Sequence, residues 1–172
     1  MKLTHADRIL KVNHAGEHGA VNIYRAQRLV CVWRDPGLKR QLEEFRAHEE
    51  RHRDIFAAEL ARRGVHRCRS YGLCGLGGLL LGAITGICGR ASIAAVTVAV
   101  ERVVLRHLEM QLRELEGVDP EAHAAVAAIL EDERAHHDSA AQEPRQGIFW
   151  PRLIRPAVSA ATEFVIWTGM RL

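Results

Sequence analysis

LEEFRAHEERHRDIF at residues 42–56 and ILEDERAHHDSA at 129–140 decide how this chain is read. Each holds a Glu-x-x-His unit, Glu49 to His52 and Glu133 to His136. Each unit's glutamate lies 32 residues after a lone glutamate in a helical pattern, Glu17 and Glu101 respectively. Residues three apart on an α-helix stack on one face, so each unit presents a carboxylate and an imidazole to the same point. One glutamate from each of two helices, with Glu-x-x-His from each of two others, is the donor set of a carboxylate-bridged dinuclear iron site in a four-helix bundle.

Random placement of 15 Glu and 10 His in 172 residues already yields roughly one Glu-x-x-His, so context carries the weight. Leu42, Phe45, Phe56 and Leu60 share the face of Glu49; Val126, Ile129, Leu130 and Ala140 share that of Glu133; Val98, Val104, Leu105, Leu108 and Leu112 flank Glu101. The acids therefore point inward. Four buried carboxylates are costly alone and are compensated by two imidazoles and two cations. Glu17 is the less clear member, with Asn13 and Tyr24 beside Ala20 and Val21.

The expected fold class is all-α: a ferritin-like four-helix bundle with an extra apolar glycine-rich segment and a C-terminal helix, residues 1–172 forming one domain. A composition 48% hydrophobic but only 5% aromatic suits Ala/Leu/Val-rich helices. The first helix is expected from about Thr4, an N-cap candidate, to Trp33, broken by Asp35-Pro36-Gly37. The second runs from about Leu38 to Arg63 and stops at Gly64. The third covers roughly Ser92 to Leu115, ending at Gly117. Asp119-Pro120 starts a fourth that continues to about Gln142. Pro144, Gly147 and Pro151 mark a loop before a last helix, about Ile154 to Met170. The segments 17–52 and 101–136 form a pseudo-repeated helix pair.

Ser70 to Gly89 is a stretch of 20 residues without a charge, containing seven glycines and Leu79-Leu80-Leu81. It is long enough to span a bilayer, while its glycines favour a shallower placement. The basic cluster Arg62, Arg63, Arg67 and Arg69 beside it suits anionic headgroups. The readings kept are contact with the membrane surface, which is favoured, burial in a dimer or in the bundle, and a true span. Trp150, Trp167, Arg152, Arg155 and Arg171 at the ends of the last helix suit either interfacial anchoring or ordinary packing. A net charge of +3 and no interleaved basic-aromatic patch exclude nucleic acid as an expected partner. Cys31, Cys68, Cys74 and Cys88 have neither Cys-x-x-Cys nor zinc spacing and read as reduced thiols. Met1 to Val12 lacks the pattern of an export or import signal, so the expected location is peripheral, on the cytoplasmic face of the cell membrane.

Asp7-Arg8-Ile9-Leu10 through His14-Ala15-Gly16-Glu17-His18-Gly19-Ala20 and Ile23-Tyr24 resembles the opening motif of the demethoxyubiquinone hydroxylases, the di-iron monooxygenases of ubiquinone biosynthesis. Thr97-Val98-Ala99-Val100-Glu101 and Asp132-Glu133-Arg134-Ala135-His136-His137-Asp138 are similar to that family's later motifs. Carried over residue by residue, the resemblance makes Glu17, Glu49, His52, Glu101, Glu133 and His136 the iron ligands, the set already reached from spacing. It implies two iron ions cycling between Fe2+ and Fe3+, O2 as co-substrate, and hydroxylation of a demethoxylated polyprenyl benzoquinone or quinol. No Gly-x-Gly-x-x-Gly follows a strand, so an external reductant such as NADH docks or a partner supplies it. A membrane-resident substrate gives the apolar segment a task. Lipid-presenting or biosynthetic-complex proteins and a second copy of the chain are the further partners expected.

Two departures from the family's pattern matter. Gly16-Glu17-His18-Gly19 stands where the family usually has Gly-Glu-Tyr-Gly, and Arg106-His107-Leu108 where it tends to have His-His-Tyr. The resemblance associates that second motif with quinone and electron delivery, which makes His107 a candidate catalytic residue; a polar residue flanking the core is the alternative. Tyr24, seven residues after Glu17 on nearly the same face, is a candidate for hydrogen bonding to a ligand or for core packing. His48-Glu49-Glu50-Arg51-His52 also satisfies His-Glu-x-x-His, the signature of zinc metalloproteases, which leaves Glu17, Glu101 and the second Glu-x-x-His without a purpose. On that helix His48 is expected to face solvent or a partner. Another ferritin-like oxidase or peroxidase acting on a different lipophilic substrate, and a non-enzymatic lipid or assembly factor, complete the alternatives.

Overall fold

A computed structural model describes residues 3–31, 35–143, 152 and 154–171. Among them are seven helices and no strand: α1 His5–Cys31, α2 Pro36–Arg62, α3 Tyr71–Cys88, α4 Arg90–Leu115, α5 Pro120–Ala127, α6 Leu130–Ala141 and α7 Arg155–Gly169. Trp33, the expected end of the first helix, lies outside the described residues, as do Pro144, Gly147, Trp150 and Pro151.

The helix starts follow local chemistry. Thr4 and Asp7 cap α1 reciprocally: the Thr4 hydroxyl accepts from the Asp7 N–H at 3.1 Å and the Asp7 carboxylate accepts from the Thr4 N–H at 2.9 Å. Asp35 accepts from the N–H groups of Gly37 and Leu38 ahead of Pro36, and Asp119 accepts from that of Ala122 ahead of Pro120. Such caps stabilise a helix by about 1 kcal/mol each. α2 stops where Gly64 turns to φ +64°, with Gly64 N–H donating to Ala61 O and Val65 N–H to Leu60 O, a closure that a side chain at this φ would strain.

The expected fourth helix is interrupted. Ala128 (φ −63°, ψ −22°) and Ile129 (φ −102°, ψ −16°) separate α5 from α6. Both residues keep right-handed dihedrals, so the rod loses pairing rather than direction. The slack falls at Ile129, which is fully buried in the core, and no glycine or proline marks it in the sequence.

The hairpins α1–α2 and α4–α5/α6 face each other with neighbours antiparallel: Asn13 meets Gln111 and Tyr24 meets Glu101 across α1 and α4, and Gln41 meets Ser139 across α2 and α6. The hairpins repeat at a constant offset of 84 residues, which relates Asp35-Pro36 to Asp119-Pro120 as well as Glu17 to Glu101, Glu49 to Glu133 and His52 to His136. α3 is the long crossover between them, as in bundles whose second and third core helices run the same way. One apolar cluster, including Ile9, Leu10, Phe56, Leu60, Leu108 and Ile129, fills one end of the bundle. Another, with Tyr24, Leu38, Leu42, Phe45 and Ile93, fills the other. Each fully buried side chain of this size contributes about 1.5–3 kcal/mol, and the two clusters hold a band of buried acids and histidines between them.

α3 lies parallel to α1 and close to it. A Cβ on Gly78 would sit 2.2 Å from the Gly19 carbonyl oxygen, and one on Gly82 would sit 2.3 Å from that of Ile23, so only glycine permits this approach. The opposite face exposes Leu73, Leu76, Leu80, Ile84 and Ile87. α3 is, by length and a mean hydropathy of 1.7, the one helix among the described residues apolar enough to cross a membrane. α7 packs along α4, where Ser159 donates to the carbonyl of Ala99 and Glu163 meets His107; Ile154, Val158 and Leu81 pack over Val96 and Ala99, and Cys68 reaches the carbonyl of Gly169. Phe164 and Trp167 of α7 are exposed as well. Burial in the bundle therefore holds for the glycine face, while the leucine face stands exposed on the single chain.

Candidate metal centre

α1 brings Glu17, α2 Glu49 and His52, α4 Glu101, and α6 Glu133 and His136, all at most 6% exposed. Their ligand atoms form two groups, each within 4.8 Å: Glu17, Glu49, His52 and Glu133, and Glu49, Glu101, Glu133 and His136. Glu49 and Glu133 belong to both. His52 Nδ1 lies 2.9 Å from Glu133 Oε1, and His136 Nδ1 lies 3.1 Å from Glu49 Oε1. All four of these buried atoms lack hydrogen-bond geometry. Donors that converge at contact distance without pairing are arranged around common points, and their chemistry, carboxylate oxygens with one imidazole per group, suits first-row divalent cations.

The electrostatics agree. Burial, then the neighbouring charges of Glu49 and Glu133, hold Glu17 well above the usual carboxylate range. Burial, then Glu133 and Glu49, do the same to Glu101. Burial opposes a charge on His52, yet Glu133 and Glu49 outweigh it and push His52 up to about 10. Without a cation, the cluster keeps protons in its place.

The outer ring nitrogens make cross-hairpin contacts that spacing did not reveal. His52 Nε2 donates to Asp132 Oδ2 at 3.0 Å, and His136 Nε2 lies 3.1 Å from His48 Nδ1. Each bond fixes the ring so that Nδ1 faces the cluster. Asp132 and His48 are the residues just before the glutamate of each Glu-x-x-His, related by the same 84-residue offset, and that offset is the signal that could have found them. His48 thus corrects its expected solvent-facing role: its side chain is only 21% exposed and holds a histidine of the other hairpin. Its ring lies 6.5 Å from that of His52, outside the cluster of Glu49 and His52, which removes the geometry of a His-Glu-x-x-His zinc site.

Tyr24 joins the cluster, buried and donating its hydroxyl to Glu101 Oε1 at 3.0 Å. His107 does not. Its Nε2 lies 2.9 Å from Glu163 of α7, and Arg106 pairs with the same carboxylate.

A family model described as ubiquinone biosynthesis protein COQ7 matches residues 4–169. The chain belongs to this family. It is 32% identical to the 3-demethoxyubiquinol 3-hydroxylase of Ralstonia pickettii over 99% of the chain and 79% of that protein. It is 30% identical to the 3-demethoxyubiquinol 3-hydroxylase of Rhodospirillum rubrum over 96% of the chain and 78% of that protein. It is also 30% identical to the NADPH-dependent 3-demethoxyubiquinone 3-hydroxylase, mitochondrial, of Caenorhabditis elegans, over 96% of the chain and 85% of that protein. Within the COQ7 family, the two departures read from sequence lie away from the donor atoms. His18 stacks on Tyr71 at the start of α3, ring centroids 4.0 Å apart, and Leu108 is buried in the apolar cluster at one end of the bundle.

Proposed function

We propose that this protein is a di-iron, O2-dependent hydroxylase of a demethoxylated polyprenyl benzoquinol in ubiquinone biosynthesis, the whole chain acting as one domain. The observation that carries the reading is the buried convergence of four carboxylates and two imidazoles in a member of the COQ7 family. Two irons would be held by these residues, one by Glu17 and His52 and the other by Glu101 and His136, with Glu49 and Glu133 common to both groups. When bound, the irons supply the electrons and the binding position for O2. The protein's own residues hold the geometry: Asp132 and His48 orient the imidazoles, Tyr24 holds Glu101, and the flanking apolar clusters exclude water.

The reductant comes from outside the chain, and the name of the Caenorhabditis elegans relative supports a reduced nicotinamide. The exposed faces of α3 and α7 support a peripheral location on the cytoplasmic face of the membrane, where a polyprenyl tail resides. Lipid-presenting proteins or a second copy would dock on the same faces. His107, tied to α7 through Glu163, belongs to the substrate side of this arrangement rather than to the metal. The test is anaerobic loading with Fe2+ followed by O2, NADH and a short-tailed demethoxyquinol. Two irons per chain and a product carrying one atom of 18O from labelled O2 are expected; loading without that product would move the reaction to a different lipophilic substrate.

A further inference from the structure

The two hairpins are related by an 84-residue repeat, yet the residues around the ligands break it in one direction. The histidine of the first position, His52, gives its outer N–H to the carboxylate of Asp132 at 3.0 Å. The equivalent partner of His136 is the imidazole ring of His48, at 3.1 Å. A carboxylate polarises the imidazole and strengthens it as a donor to a cation; a second imidazole does so less. The terminal glutamates differ the same way. Glu101 receives the Tyr24 hydroxyl at 3.0 Å, which draws charge from the carboxylate. The position 84 residues after Tyr24 is Leu108, a buried hydrocarbon with no hydroxyl to offer Glu17.

We infer that the two metal positions are unequal: the one held by Glu17 and His52 fills first and tightly, and the one held by Glu101 and His136 fills last and exchanges readily, with His48 as the positioning residue that sets the difference. The inference rests on the dinuclear reading above. Exchanging the outer partner of a ligating histidine changes metal affinity about 10–100-fold, which sets the size of the gap.

The test titrates metal-free protein with Co2+, following heat and the visible absorption of the bound ion, with no turnover required. The natural chain is expected to bind two ions in steps about tenfold or more apart. His48→Asp should narrow the gap by about tenfold, whereas His48→Gln, which adds no carboxylate, should leave it. Should His48→Asp fail to fold, the terminal ligands decide: Glu101→Gln should remove the weak step and Glu17→Gln the tight one. Two equal steps in the natural chain, a gap indifferent to His48→Asp, or loss of the tight step in Glu101→Gln would overturn the inference and leave the dinuclear site standing. A single ion per chain, insensitive to Glu17 and Glu101, would overturn both.

Discussion

Gly77 and Gly78 are adjacent in one helix and should respond to alanine with opposite signs. At Gly77 an added Cβ meets nothing within 4 Å, so Gly77→Ala supplies only the helix propensity that glycine lacks, about 1 kcal/mol. At Gly78 the Cβ would fall 2.2 Å from the Gly19 carbonyl oxygen, where ordinary contact begins at 3.4 Å. Neither backbone yields alone, so α3 must retreat from α1 by about 1 Å, and a gap of that size forfeits a quarter to a half of the dispersion energy along the seam. Overpacking of this kind costs about 1–3 kcal/mol, and it extends along the seam because Gly82 and Gly86 lie against the same helix. With the cost at the upper end of that range, about 3 kcal/mol, and net of the propensity gain of about 1 kcal/mol, Gly78→Ala should lose about 2 kcal/mol. For a chain of this size that is a melting temperature lower by about 4–8 °C, against a rise of about 2–4 °C for Gly77→Ala. Calorimetric melts of both variants in one buffer, with the denaturant m-value as a check on two-state unfolding, measure this directly. If both alanines raise the melting temperature, α3 does not lie against α1 through its glycine face and the exposure of its leucine face loses its basis.

Between pH 6.5 and 10 the stability of the metal-free protein should fall as pH rises. His52 sits at about 10 in the fold against an ordinary 6.5, so its stabilisation is whole below pH 6.5 and gone once pH passes 10, and Glu17 and Glu101, held upward by burial and by neighbouring carboxylates, add a cost of the same sign above pH 4.5. Loading with Mn2+ should flatten the profile, because the ions replace the protons; parallel slopes from pH 6 to 10 with and without Mn2+ would contradict it. Changing Leu76, Leu80 and Ile84 together to glutamine should leave the melt unchanged and reduce flotation with anionic liposomes about tenfold or more, and retained flotation would remove α3 from the membrane contact. His107→Ala removes one of the two partners of Glu163 at the α4–α7 seam and should lower quinol-dependent turnover while two Co2+ ions still bind; a lost ion would tie His107 to the metal set.

Charge made the donor set legible and left its supports hidden. A glutamate on an apolar helical face demands a partner, so Glu49, Glu101 and Glu133 declared themselves in one dimension. The Asp-Pro starts of α2 and α5 were legible for a local reason too, since a cap bonds within three residues. His48 and Asp132 bond to the opposite hairpin, 88 and 80 residues away, and on their own helices they read as surface positions. Only the repeat betrays them, because a fold that sets two like hairpins face to face sends the residue before each Glu-x-x-His glutamate to the other hairpin's histidine. The break after α5 escaped because buried Ile129 absorbs it without a glycine or proline. The apolar stretch escaped in half: composition marked it as lipophilic, but which side meets protein depends on Gly19 of α1 being small enough to admit Gly78. A larger residue at position 19 would leave the α3 sequence unchanged and shift the helix itself. The leucine face of α3 is therefore aimed outward by α1, the helix that also carries Glu17 and Tyr24, which couples the membrane-facing surface to the metal cluster through one rigid rod.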